Sequence, residues 1–175
     1  AERLQSLKRQ LAKVRSSVDE LEETLELQVL PKPVQGIVSA ARLGKVRAKP
    51  TVLMDAFRCP KEISGAVEAF LGGRQFWLLV DTLEESGECI AFLKSRSLGR
   101  ATFLPLERCV PRRPDRANLR SAPGVVGFAM DLIEADSRYE RALQHLMGDL
   151  LVVRDYDSGK EVARSSFRGP IVTLE

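Results

Sequence analysis

The sequence has 175 residues and a net charge of +3, with 44% hydrophobic and 29% charged residues, which suits one globular domain or two small ones. No apolar run approaches the roughly 20 residues that cross a bilayer, and the polar N-terminus has neither signal- nor transit-peptide character, so a cytoplasmic location and no membrane partner are expected. Three widely spaced cysteines (Cys59, Cys89, Cys109) and a single histidine (His145) cannot readily supply the four clustered ligands of a structural zinc site; small buried or half-buried thiols in a reducing compartment are expected instead.

Residues 1–30 carry apolar side chains at Leu4, Leu7, Leu11, Val14, Val18, Leu21 and Leu25. The steps alternate three and four, an a/d heptad seam of period 3.5. The positions between are mostly Lys, Arg, Glu, Asp, Ser and Gln. A helix on its own globular domain would carry a wider apolar stripe, so this narrow one predicts a coiled-coil strand about 40 Å long that needs a partner helix. Asp19, Glu20, Glu22, Glu23 and Glu26 read as its solvated face. Pro31 and Pro33 end it and mark a boundary.

The remainder contains a duplication. MDAFRCPKEISGAVEAFLG (54–72) aligns without a gap to MDLIEADSRYERALQHLMG (130–148), at an offset of 76 (Met54 to Met130). Asp55/Asp131, Ala66/Ala142 and Gly72/Gly148 are identical. Further on, 76–80 (FWLLV) matches 150–153 (LLVV), and 103–107 (FLPLE) matches 171–175 (IVTLE). Each copy reads strand, helix, strand, helix, strand, which predicts an α/β architecture of mixed α+β character. The first copy's helices are expected over 61–71, stopped by Gly72 and Gly73, and over roughly 86–97, stopped near Gly99. Neither copy is large enough for a comfortable core alone, so the two should pack about a pseudo-two-fold. Residues 108–122, rich in Pro and Arg, are the expected connector.

Candidate chemistry is sparse. There is no GxxxxGK[ST] phosphate loop, and Leu71-Gly72-Gly73 reads as a helix stop. His145 lies in an amphipathic helix without a nucleophile or ligand pattern beside it, which favours a surface or packing role. Asp55 and Asp131, being duplicated, read as anchors of the same turn in each copy. Trp77 sits in a buried-strand pattern. Two basic stretches could neutralise phosphates without reading bases: Arg42, Lys45, Arg47 and Lys49, and the connector's Arg112, Arg113, Arg116 and Arg120. Neither has interleaved aromatics for base stacking, and solvated charge that aids solubility is the competing reading.

Several segments resemble the hinge of bacterial structural-maintenance-of-chromosomes (SMC) proteins: GAVEAFLGGRQFWLLVD (65–81), AFLKSRSLGRATFLPLE (91–107) and GVVGFAMDLIEADSRYERALQHLMGDLLVVRD (124–155), with VQGIVSAARLG (34–44) as the helix between coil and hinge. The resemblance covers essentially the whole chain. It implies a coiled-coil strand (1–30), a first hinge subdomain with its leading helix (31–107), a connector (108–122) and a second subdomain (123–175). It further implies homodimerisation, an antiparallel partner helix from the same chain, DNA bound weakly and without sequence preference, a nucleoid-associated location, no cofactor and no catalysis here, the family's ATPase heads lying at the far end of the coil. Arg108, Cys109 and Val110, just after the first FLPLE, are the expected dimer-interface residues, by analogy with the family's segment after the second copy. That segment is glycine-rich, and the second subdomain is expected to be truncated ahead of it, at Glu175. The stretch ARLGKVRAKPTVLMDAF departs from the family in being basic where a neutral, Gly-rich stretch is usual. The alternative is a nucleic-acid-binding α/β domain oligomerised by its coiled coil.

Overall fold

The structure, a computed structural model, describes residues 2–114, 119 and 122–175. Helix α1 (Glu2–Val29) runs unbroken, as a stretch free of Gly and Pro allows. Helix α2 (Lys32–Arg42) follows at once, with Pro33 in its first turn, where a missing N–H costs nothing. Between the two, Gln35 Nε2 donates to Leu30 O at 2.6 Å and so satisfies a carbonyl at the end of α1.

The first copy then forms β1 (Thr51–Val52), β2 (Phe57–Arg58), α3 (Lys61–Leu71), β3 (Leu78–Val80), α4 (Leu83–Ser95) and β4 (Phe103–Pro105). The second forms β5 (Val125–Phe128), α5 (Ala129–Leu132), β6 (Glu134–Ala135), α6 (Ser137–Met147), β7 (Leu151–Val153), α7 (Tyr156–Arg164) and β8 (Ile171–Thr173). Each copy makes a three-stranded sheet, β1-β3-β4 and β5-β7-β8. In both, the first pair is antiparallel and the second parallel. The central strands, Leu-Leu-Val and Leu-Val-Val, are buried throughout, as continuous apolar runs require.

Helices α3 and α6 start and stop at equivalent positions, with the offset of 76 seen in the sequence (Lys61 to Ser137). Gly72 takes φ 51° at the end of α3, a conformation that costs a residue with Cβ. Helix α4 starts at Leu83, earlier than the expected 86. Thr82 accepts from the Glu85 N–H and caps it, with Glu84 and Glu85 in the first turn favouring the N-terminal dipole. Asp155 caps α7 in the same way, accepting from the Ser158 N–H at 2.8 Å. The expected strand over 76–80 is shorter, because Gly72–Phe76 coils as a 3₁₀ turn. β4 likewise gives way to a 3₁₀ turn over Leu106–Arg108.

The copies join through β2 and β6, which pair antiparallel with Phe57 opposite Ala135 and Arg58 opposite Glu134. Equivalent strands running against each other are what a two-fold between the copies generates. Around this pair lies a core shared by both copies. Leu53, Ile63, Val67 and Leu71 meet Leu143, Met147, Leu150 and Val152; each such side chain contributes about 1.5–3 kcal/mol by leaving water. Trp77 packs half-buried on its edge. A second cluster under α2 and α4 (Val34, Ile37, Cys89, Leu93) backs the first sheet. A third (Phe128, Leu151, Val153, Val162) backs the second.

Candidate interaction surfaces

Leu4, Leu7, Leu11, Val14, Val18, Leu21 and Leu25 are all exposed along α1. An a/d stripe left in water is an unmet contact, since each leucine forgoes its burial energy. The stripe runs toward the α1–α2 junction, where Leu27, Val29, Leu30, Val38, Val52 and Met54 line a cavity of about 260 Å³. No helix of the described residues is long and apolar enough to cross a membrane.

The two three-stranded sheets end in β1 and β4 and in β5 and β8, each hydrogen-bonded to a neighbour on one side only; β4 and β8 are the edges parallel to the central strands. A strand with a free edge offers unpaired backbone groups to another chain. Pro105 in β4 suits an edge, where a missing N–H does least harm. Beside these strands lie two exposed apolar side chains at matching positions, Leu83 at the start of α4 and Tyr156 at the start of α7.

The chain leaving β4 is held against α6. Arg141 Nε donates to Cys109 O at 2.7 Å, and the Arg112 N–H donates to Gln144 O at 3.1 Å. His145 Nδ1 lies 3.2 Å from Val110 N and 3.0 Å from Val110 O. Gly148 makes room for this crossing, since a Cβ there would meet Arg112 O. Of the three residues expected at a dimer interface, Cys109 is fully buried and belongs to the shared core, while Arg108 and Val110 are exposed. The packing role expected of His145 is therefore specific: it anchors the connector.

The basic residues fall in two places. Arg42 ends α2, and Lys45, Arg47 and Lys49 lie in the following loop, all four exposed. Val46 and Ala48 alternate with them and are buried, which turns the basic side chains outward. The loop is fixed by the Arg47 N–H, which donates to Glu88 Oε1 at 2.8 Å. Arg42 and Lys49 line one cavity with Pro50, Thr51 and Asp55. Arg112 and Arg113 line another, of about 680 Å³, with Asp149, Glu161 and Phe167. Arg112 Nη1 is 3.5 Å from Asp149 Oδ2 there. Arg116 and Arg120 lie outside the described residues. Asp55 and Asp131 occupy equivalent turns after β1 and β5.

Electrostatics sharpen two further points. Arg138 at the start of α6 grips Asp81 of the first copy with two bonds of 2.8 and 2.9 Å, and this pairing holds its guanidinium proton more tightly than usual. Burial pushes the Cys89 thiol up to about 11, with help from the charges of Glu88 and Glu85; Cys59 and Cys109 are raised chiefly by burial as well. None of the three is a poised nucleophile, because the thiolate is the reactive form. Among the described residues no cluster of three or more His, Cys, Asp or Glu could hold a metal.

The family profile of the SMC proteins flexible hinge domain matches residues 50–163. The chain is 37% identical over 114 residues to the chromosome partition protein Smc of Methanocaldococcus jannaschii, a match covering 65% of this chain and 10% of that protein. It is 33% identical over 183 residues to the Smc of Desulfitobacterium hafniense, covering 98% of this chain and 15% of the relative. The chain thus spans about a tenth to a seventh of such relatives' length. Among solved structures, an asymmetric dimer of the Geobacillus stearothermophilus SMC hinge domain superposes with a TM-score of 0.77 at 30% identity, over 99% of this chain and 71% of that one. The Pyrococcus furiosus Smc hinge domain with an extended coiled coil superposes with a TM-score of 0.66 at 25% identity, over 96% of this chain and 61% of that one.

Proposed function

The chain belongs to the SMC flexible-hinge family, and on that premise we propose that it is the dimerisation module of a chromosome-partition SMC ATPase, a mechanical part with no catalysis of its own. The observation that carries this reading is the equivalence of β4 and β8, the edge strands that run parallel to the central strand in each copy of the duplication. With two such edges, the β4 side of one chain meets the β8 side of another, and the second pair closes by symmetry into a two-fold dimer. The similar Geobacillus hinge is a dimer. Arg108 and Val110 flank β4 and take part as exposed neighbours; Cys109 holds the turn from within. Residues 1–30, 31–107, 108–122 and 123–175 then act as coil strand, first subdomain, connector and second subdomain. The seam of α1 takes an antiparallel helix of the same polypeptide, as the resemblance implies. Sedimentation equilibrium over micromolar to millimolar concentration tests the dimer. Val110→Asp is expected to weaken association at least tenfold; a strictly monomeric parent chain refutes dimerisation by this chain, and an unchanged variant removes Val110 from the interface.

A second reading, weak DNA binding without sequence preference, is supported by the outward alternation of Lys45, Arg47 and Lys49. Three or four phosphate contacts would make affinity fall steeply with salt. The Lys45→Glu/Arg47→Glu variant is expected to abolish binding to duplex DNA at low salt. Equal binding by parent and variant counts against this loop.

A further inference from the structure

The junction between α1 and the first sheet is packed with unusual economy. α2 buries Val34 and Ile37 against Cys89 and Leu93 of α4, and Leu30, at the end of α1, packs against the same cluster. The N-terminal half of α2 also touches the loop of residues 96–102, between α4 and β4. At Gly36 an added Cβ would lie 2.7 Å from Leu98 Cδ1. At Gly99, whose φ of 98° excludes most side chains, it would lie 3.1 Å from Pro33 Cγ. The loop itself is bent, with Ser97 at φ 54°, an uncommon conformation for a residue with Cβ. It is pinned at both ends: the Leu98 N–H donates to Leu93 O at 3.1 Å, and Thr102 O accepts from the Leu78 N–H of β3 at 2.9 Å.

We infer that the α1–α2 junction is a fixed elbow and that the loop of residues 96–102 is a strut tying the direction of α1 to the open edge strand β4. The chain of contacts is continuous. Gln35 holds Leu30, α2 holds Leu98 and Gly99, and the loop runs directly into β4 while bonding β3. Leu98 and Ala101 are the loop's packed side chains, half-buried against the cluster under α2 and α4, and packed contacts of this kind transmit a displacement because they yield little. Movement of β4, such as a neighbouring strand would impose, thereby redirects the coil, and pulling on the coil loads β4. The inference concerns one chain and holds whether or not the chain dimerises.

The test is a distance distribution within one chain. Spin labels go on Gln28→Cys, in the last turn of α1, and Glu62→Cys, exposed on α3, in a Cys59→Ser background. Cys89 and Cys109 are buried and stay unlabelled. Dilution with unlabelled protein removes signals between chains. The parent is expected to give one narrow distance. Leu98→Ala, which removes the half-buried side chain that α2 rests on, is expected to broaden it roughly twofold and to speed exchange of the Leu78 amide about tenfold. Ile90→Ala, in an exposed position further along α4, should change neither. Should Leu98→Ala fail to fold, Gly36→Ala serves: Ala favours the helix over Gly, while its Cβ displaces Leu98 and shifts the mean distance. A broad distribution in the parent, or an unmoved one in both variants, overturns the elbow. A change in distance without any change at Leu78 overturns the strut. Sedimentation of the same samples reports association separately.

Discussion

Replacing Leu143 by Ala tests whether the two copies of the duplication are one folding body. Leu143 lies in α6, has no exposed surface, and meets side chains of both copies in the shared core. Truncation removes the equivalent of three methylenes, about 2.4 kcal/mol at 0.8 kcal/mol each. The cavity left between two helices and two sheets adds to this, for a total of about 3–4 kcal/mol. In a chain of this size that lowers Tm by roughly 6–16 °C. The assay is urea unfolding followed by the fluorescence of Trp77, the only tryptophan, with amide exchange of β7 measured in parallel. Trp77 belongs to the first copy and Leu143 to the second. The expected result is that the Trp77 transition moves to lower urea by the full amount, in step with β7. An unmoved Trp77 transition alongside accelerated exchange in β7 would refute the shared core as a cooperative unit.

Two further outcomes are expected. The folded Cys89 thiol titrates near 11, above its value in an unfolded chain of about 8.5. Stability owed to the neutral thiol is therefore complete below that lower value and is lost as pH rises toward 11, by up to about 1.4 kcal/mol per pH unit. Urea unfolding on both sides of this window should show a shallower alkaline decline in Cys89→Ala than in the parent. For Asp81 and Arg138, both about half exposed, either alanine variant should cost less than about 1 kcal/mol. The exchanged pair, Asp81→Arg with Arg138→Asp, should recover part of that loss in a double-mutant cycle, and zero coupling would show the bond to be idle.

Much of this architecture is legible in residue patterns, and the exceptions have physical causes. The seam of α1 shows because nothing but its own periodicity decides which side chains face a partner. The equality of α3 and α6 shows because both copies keep the same apolar positions and the same terminal glycine. β2 and β6 are not legible: two residues each cannot display alternation, and their pairing arises from the symmetry of the whole. The start of α4 was open to reading, since Thr82-x-x-Glu85 is a capping signature. The connector's path along α6 was not, because Gly148 looks like a helix stop and also serves to let the Arg112 backbone pass. Charge alone marked both basic stretches, but it could not tell that they line separate cavities. Cys109, read as an interface position from repeat alignment, is core because the chain turns inward after β4.

The shared core also sets an order of events during synthesis. The first copy is complete in sequence well before α6 leaves the ribosome, yet Leu53, Ile63, Val67 and Leu71 have only the cover of their own copy, such as Leu79 and Trp77, until Leu143 and Met147 arrive. In that interval the nascent chain carries a bare hydrophobic face beside the unpaired backbone of β2, the combination that invites chaperones or wrong partners. A nascent first copy from a neighbouring ribosome, offering the same face and the same strand, is the best matched of those wrong partners.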